Sequence, residues 1–566
     1  MHIFYFMVCY YYNKLIQVGG NVMESKKTFS RRHFLQYLGL SAVSVASTYT
    51  GLAAFTQKAS ASEVIDAYEQ LPEVFNPTLH TAADADQLLL SNGYSYQVIA
   101  AYGDKINKNG DTFGFNSCYT SFYQLPHSNN EALLWVNHES GQYPWLIDRS
   151  KPIVWEQQKQ LLYEQGGSLL HLKKDTFGAW KLVDDSSLAR RISGLSPIEL
   201  TGPVRGTSSV HGATRVQGTF ANRGGSKTLW NTQLACENQY EATCRDAGLA
   251  LSHYGWIVEI DPFNVQNQPV KHTALGRFHH GSAAMTLNAS NQVVLYMGED
   301  SPTGFVYKFV SKDQWSNGQD KENLLAEGNL YAADFIQGRW IELSLSNVNK
   351  MLKSFTYQVP ESMYKSKEVL LEQFTTQSDV LTYANEAAQI IGATICDRPS
   401  ELTLHPIDKS VYIAYTQNTN RGNLHGQIIR LKEKGSTSFE FETFLTGGRQ
   451  SGFSSPGSLS FDKHGNLWVG SDLAPDQLNS GAWSEFKNNG MYLIHRAGVA
   501  SKTKQFASAP TEAALSGVSF TENQDTVFVS VNHPGSAGAG TDKPTSQWHR
   551  KFGDKNPRSA VVTITL

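Results

Sequence analysis

Five short polar clusters give this 566-residue chain side chains able to bind a cation or a phosphate. They are Asn137-His138-Glu139, Cys236-Glu237-Asn238, Arg277-Phe278-His279-His280 with the later Glu299-Asp300, Asp397-Arg398-Pro399, and Asn532-His533-Pro534-Gly535. Carboxylates such as Glu139, Glu237, Glu299 and Asp300 are oxygen ligands for a hard cation of the calcium kind. The same residues serve equally as strand-end carboxylates bonded to backbone amides, or as turn caps. Arg398 offers a planar fork that grips phosphate or carboxylate through two hydrogen bonds. Its plainer role is an ion pair, with Asp397 beside it. His279 and His280, next to Phe278, read as packing and hydrogen-bonding residues before they read as ligands, and Cys236 as a buried structural thiol. Asp261-Pro262 and the Asn532–Gly535 segment read as turns, with His533 the one site candidate among them. The sequence holds no Gly-x-Ser-x-Gly elbow, phosphate-binding glycine loop or His-Glu-x-x-His helix.

The clusters lie at the ends of short apolar runs that must position them. Ala132–Val136, Gly255–Ile260, Val293–Met297, Ser410–Tyr415, Leu467–Gly470 and Thr526–Val531 have the β-branched and aromatic content of strands. Gly, Asn, Asp and Pro bound them, and Asp462–Asn466 and Thr521–Asp525 are placed as hairpin loops. Helical periodicity is confined to 153–164, 346–353 and 361–374. Phe461–Asp472 and Phe520–Val531 share a strand–turn–strand template, and Leu402–Thr416 is a weaker third copy. Repeated sheets of this kind point to an all-β chain and to a β-propeller, whose central channel would receive the strand-end clusters.

With 40% hydrophobic and 17% charged residues, the chain can bury a large core. A formal net charge of −3 and the lack of any long basic run exclude a nucleic-acid partner. Five cysteines are too few for a disulfide scaffold; Cys236 and Cys244 are the nearest pair for a single bridge. Ser30-Arg31-Arg32-His33-Phe34-Leu35, an apolar run from Tyr37 to about Ala54, and Ala59-Ser60-Ala61 make a twin-arginine export signal. Residues 1–22 then read as an extension that is not native, 23–61 as the signal, and 62–566 as one propeller domain. The expected location is periplasmic or secreted, with the translocation machinery as partner during export. No later run is long and apolar enough for a second membrane span.

In order along the chain, Phe113–Asn116, Val136–Glu139, Trp230–Glu237, Gly255–Pro262, Gly276–Phe278, Tyr296–Asp300, Val306–Val310, Asp397–Pro399, Gly465–Trp468 and His533–Gly535 resemble the PhoX family of secreted phosphatases. That resemblance implies a six-bladed propeller holding ferric iron and calcium in its channel, where the cations bind a phosphate ester and activate an oxygen nucleophile. Several positions depart from the family. Its cysteine iron ligand aligns with Arg223, and its carboxylates align with Gly281, Ser400 (beside Glu401), Gly457-Ser458, Ala514 and Cys118. Glu237, Glu299, Asp300, Arg398 and Asn137-His138-Glu139 are retained.

The resulting expectation is an exported PhoX-like hydrolase of phosphate monoesters with an impaired iron site. Glu237, Glu299, Asp300 and Glu139 would hold calcium, Arg398 would hold the phosphate of a small ester, and no residue is assigned as nucleophile. The alternatives are a non-catalytic propeller that binds calcium or a phosphorylated ligand, and a calcium-dependent lactonase.

Overall fold

Strands rich in Val, Ile, Phe and Tyr, such as the wholly buried Val527–Asn532, arrange themselves in six sheets around one channel. The computed structural model describes residues 82–139, 151–316, 323–495, 503–539, 541, 543–551 and 553–565. The extension, the twin-arginine segment and its cleavage site lie outside these residues. Those described fall within one compact unit, 51–566.

The innermost strands of the six blades are Ser117–Gln124, Asn222–Lys227, His280–Leu287, Pro399–Leu404, Pro456–Phe461 and Ala514–Phe520. Each pairs antiparallel with the strand that follows it: Glu131–His138, Gln233–Glu237, Gln292–Glu299, Val411–Tyr415, Leu467–Ser471 and Val527–Asn532. The last sheet is completed by Ser95–Ala101, which pairs with Ala560–Thr565, so the two ends of the propeller close on each other. The architecture is the six-bladed propeller that the family resemblance implies.

Two local devices recur at the channel. In every blade the register between the innermost strand and its neighbour shifts, in five of them at the first residues of the inner strand. Such a bulge re-aims side chains toward the axis. In four blades the residue just before the inner strand is a non-glycine in the left-handed region: Asn116 (φ 55°), Ala221 (φ 55°), Arg398 (φ 58°) and Ser455 (φ 51°). These positions are uncommon for such residues and cluster where function is built.

The core lies between neighbouring sheets, with Trp135, Trp256 and Trp468 fully buried. Helices form near the three expected places, at Trp155–Glu164, Leu345–Lys353 and Lys367–Gln373. Three more, at Glu241–Ala247, Gln377–Thr382 and Ala384–Ile390, are six or seven residues long and lie outside the expected helical stretches. The bridge considered for Cys236 and Cys244 does not form; both thiols are free and buried. None of the helices among the described residues is long and apolar enough to cross a membrane.

Candidate functional site

The residue directly after the second strand of each blade is polar: Glu139, Asn238, Asp300, Thr416, Asp472 and His533. Equivalent placement in six blades brings these side chains to one end of the channel. Arg223, from the innermost strand of the second blade, reaches into their midst. Its Nη2 lies 2.8 Å from Asp472 Oδ2, its Nε 3.4 Å from Asp300 Oδ2, and its Nη1 3.5 Å from Glu139 Oε1. One guanidinium therefore joins carboxylates from three blades.

Arg398 bonds to Asp300 rather than to its neighbour Asp397. Its Nε and Nη2 each lie 3.1 Å from Asp300 Oδ1, while Asp397 pairs with Arg421 at 3.0 Å. Asn238 Nδ2 donates to Asp300 Oδ2 at 2.9 Å. Burial alone would raise the Asp300 carboxyl, but Arg398 and Arg223 outweigh it and hold the group well below the usual carboxylate range. Asp472 is likewise held down by Arg223 and His533 against burial. Glu139 is pushed up, because burial prevails over its longer contact with Arg223. Under Arg223, a void of about 20 Å³ is lined by Cys118, Glu139, Glu401 and Asp472, among others. It has room for a single water. Burial pushes Glu401 up to about 8, with the Ser282 hydroxyl and Arg223 offsetting only part of it. The Cys118 thiol is raised by burial and by Glu139; it donates to the carbonyls of Asn222 and Arg223, both at 3.2 Å.

Of the four carboxylates expected to share a cation, the channel brings together Glu139 and Asp300 only. Glu237 is turned away, with Oε1 2.8 Å from the buried Lys271 ammonium and Oε2 accepting from the backbone N–H groups of Gly255 (2.9 Å) and Trp256 (3.1 Å). Glu299, one residue before Asp300, points to the opposite side, as strand alternation requires. Its Oε1 accepts from Asn385 at 2.7 Å and its Oε2 from the Tyr307 hydroxyl at 2.9 Å; burial raises it to about 7. His280 packs against Phe278 with ring centroids 3.7 Å apart and the planes tilted by 32°, and His279 pairs with Glu241 at 2.6 Å. Asp472 is a site residue that the sequence reading does not single out, and Glu401 enters it only as the neighbour of Ser400. Position supplies the missing signal for Asp472, since it follows Leu467–Ser471 as Asp300 follows Gln292–Glu299.

The glycines at 281 and 457 have a packing reason. A Cβ on Gly281 would lie 2.3 Å from the Ser400 carbonyl oxygen, and one on Gly457 2.5 Å from Asp472 Cβ. Neither position has room for a ligand side chain. Among the described residues, no group of three His, Cys, Asp or Glu side chains could hold a metal ion. The carboxylates that do converge have Arg223 between them. The residues present fit neither a ferric cluster nor calcium at the channel centre.

A family model described as alkaline phosphatase PhoX matches residues 74–535. Pseudomonas fluorescens PhoX, solved in complex with vanadate, a transition state analogue, is 28% identical, with a TM-score of 0.75 over 87% of this chain and 98% of that one. A gluconolactonase from Xanthomonas campestris is 10% identical, with a TM-score of 0.31 over 87% of this chain and 99% of that one. A protein of unknown function from Dyadobacter fermentans is 8% identical, with a TM-score of 0.36 over 83% of this chain and 99% of that one. No curated protein matches the sequence. The chain belongs to the alkaline phosphatase PhoX family.

Two stability effects are expected from this geometry. Lys271→Met strands Glu237 as a buried anion and lowers stability by roughly 3–5 kcal/mol, whereas pairing it with Glu237→Gln costs less; urea unfolding distinguishes the two. For Glu401 the folded pKa of about 8 exceeds its ordinary value. The unfolded chain therefore releases that proton first, and native stability declines as pH rises from the ordinary carboxylate range to about 8. Glu401→Gln should flatten that part of the decline in a series of melting curves.

Proposed function

We propose that this PhoX-family chain is an exported phosphatase-type hydrolase that takes phosphate monoesters at the mouth of its channel, with arginines rather than metal ions supplying the positive charge. One observation carries the reading: two guanidinia, Arg223 and Arg398, flank Asp300 where the blades converge. Arg398 commits Nε and Nη2 to Asp300, yet a quarter of its side chain is open to the mouth, so its remaining edge is available to a phosphoryl oxygen. That the Pseudomonas fluorescens relative was solved with vanadate, a transition state analogue, supports an oxyanion ligand for this scaffold. The 23–61 signal and the periplasmic or secreted location rest on the twin-arginine motif.

His533 is the residue best placed to move a proton. Its Nδ1 lies 2.8 Å from the Glu512 carbonyl oxygen, which can only accept, so Nδ1 carries the hydrogen. In the neutral ring the lone pair is then on Nε2, 3.9 Å from Asp472 Oδ1. A water between them could donate one hydrogen to each. Its oxygen would attack phosphorus as the ester P–O bond breaks, its proton passing to His533 Nε2 and the leaving alkoxide taking a proton from solvent at the mouth.

A second reading, a propeller that holds a phosphorylated ligand without turning it over, is favoured by the closed pairing of Arg223 with its three carboxylates. A calcium-dependent lactonase gains nothing, because those carboxylates are already paired. Phosphate release from p-nitrophenyl phosphate is the deciding assay. His533→Ala should lower kcat about 100-fold or more with little change in vanadate inhibition, and Arg398→Ala should weaken vanadate inhibition roughly tenfold or more. Vanadate binding by an inert wild-type protein would favour the second reading, and the absence of both would refute the site.

A further inference from the structure

We propose that Arg223 is a resident cation that permanently takes the place of a metal ion, so that the native channel centre binds none, and that removing it opens a divalent-cation site between Asp300, Asp472 and Glu139. This rests on the family membership of the chain but not on turnover. The three carboxylates come from three blades and approach one planar group to between 2.8 and 3.5 Å. Such convergence of buried anions is costly unless a positive charge stands among them. The guanidinium is raised well above its ordinary pKa, because Asp300, Asp472 and Glu139 together outweigh its burial.

A metal ion could enter only by displacing this side chain, and the backbone beneath it is fixed. The Arg223 carbonyl accepts from Cys118 Sγ and from Asn137 Nδ2, both at 3.2 Å. The next two residues are glycines against neighbouring backbone: a Cβ on Gly224 would lie 2.4 Å from the Gly281 carbonyl oxygen, and one on Gly225 2.3 Å from that of Leu234. The displaced guanidinium would also stay close to the incoming cation and repel it. With a methyl group at position 223, Glu139 and Asp472 lose the guanidinium, Asp300 keeps Arg398 and Asn238, and the three carboxylates, held too far apart around Arg223 to ligate a metal, are free to close on a cation. Their oxygens then suit calcium, which accepts carboxylate ligands in flexible geometry.

The test uses the exported protein with calcium chloride as the only probe. Wild-type protein dialysed against buffer should contain no stoichiometric iron or calcium, and neither 1 mM calcium nor EDTA should move its melting temperature. Arg223→Ala should melt lower than wild type, recover by roughly 2 °C or more in 1 mM calcium, and bind one calcium by calorimetry. Arg223→Lys, which keeps the charge, should show no calcium effect. Stoichiometric metal in wild type, an EDTA-induced loss of stability, or a folded Arg223→Ala without a calcium response would overturn the proposal. Should Arg223→Ala fail to fold, the metal content and EDTA response of wild type still decide it. None of these readings involves a phosphate ester, so loss of the phosphatase reading would leave them unchanged.

Discussion

Carboxylates buried around a common axis repel each other and lack the water that would solvate them, so a propeller that places them there must also place a cation among them. In this chain the cation is covalent. Arg223 stands between Glu139, Asp300 and Asp472, and its charge is what lets the strands that deliver them approach one another. Arg398 adds a second positive group on the far side of Asp300. Together the two arginines turn a ring of acidic and polar side chains into a surface that suits an anion.

The rest of the channel is shaped to hold this arrangement. Register shifts in all six inner hairpins and left-handed residues before four inner strands turn side chains inward that a regular strand would send elsewhere. Glycines at 281 and 457 let neighbouring strands close to contact distance. At these two positions packing leaves no room for a side chain. The scaffold of the family persists, and function lives in the site that the fold carries.

Much of this was legible in the chain itself. The strand-end clusters include Glu139, Asp300 and Arg398, which the fold links through Arg223 and Asp300. Glu237 and Glu299 share that sequence context yet point away from the channel. For Glu299 the reason is alternation: one residue separates it from Asp300, and successive residues face opposite sides. For Glu237 it is the fully buried ammonium of Lys271, a partner with no motif to announce it. Asp472 was hidden because its cluster, Gly470-Ser471-Asp472, looks like an ordinary turn until the six blades are superposed in register.

The sequence by itself determined the strand and turn pattern and the kinship with the PhoX phosphatases, because these are properties of local order and residue type. Only the tertiary structure decided which charges meet. Arg223 and Asp472 are 249 residues apart and belong to different blades, and their pairing follows from closure of the ring, which fixes distances across the axis that no local pattern encodes.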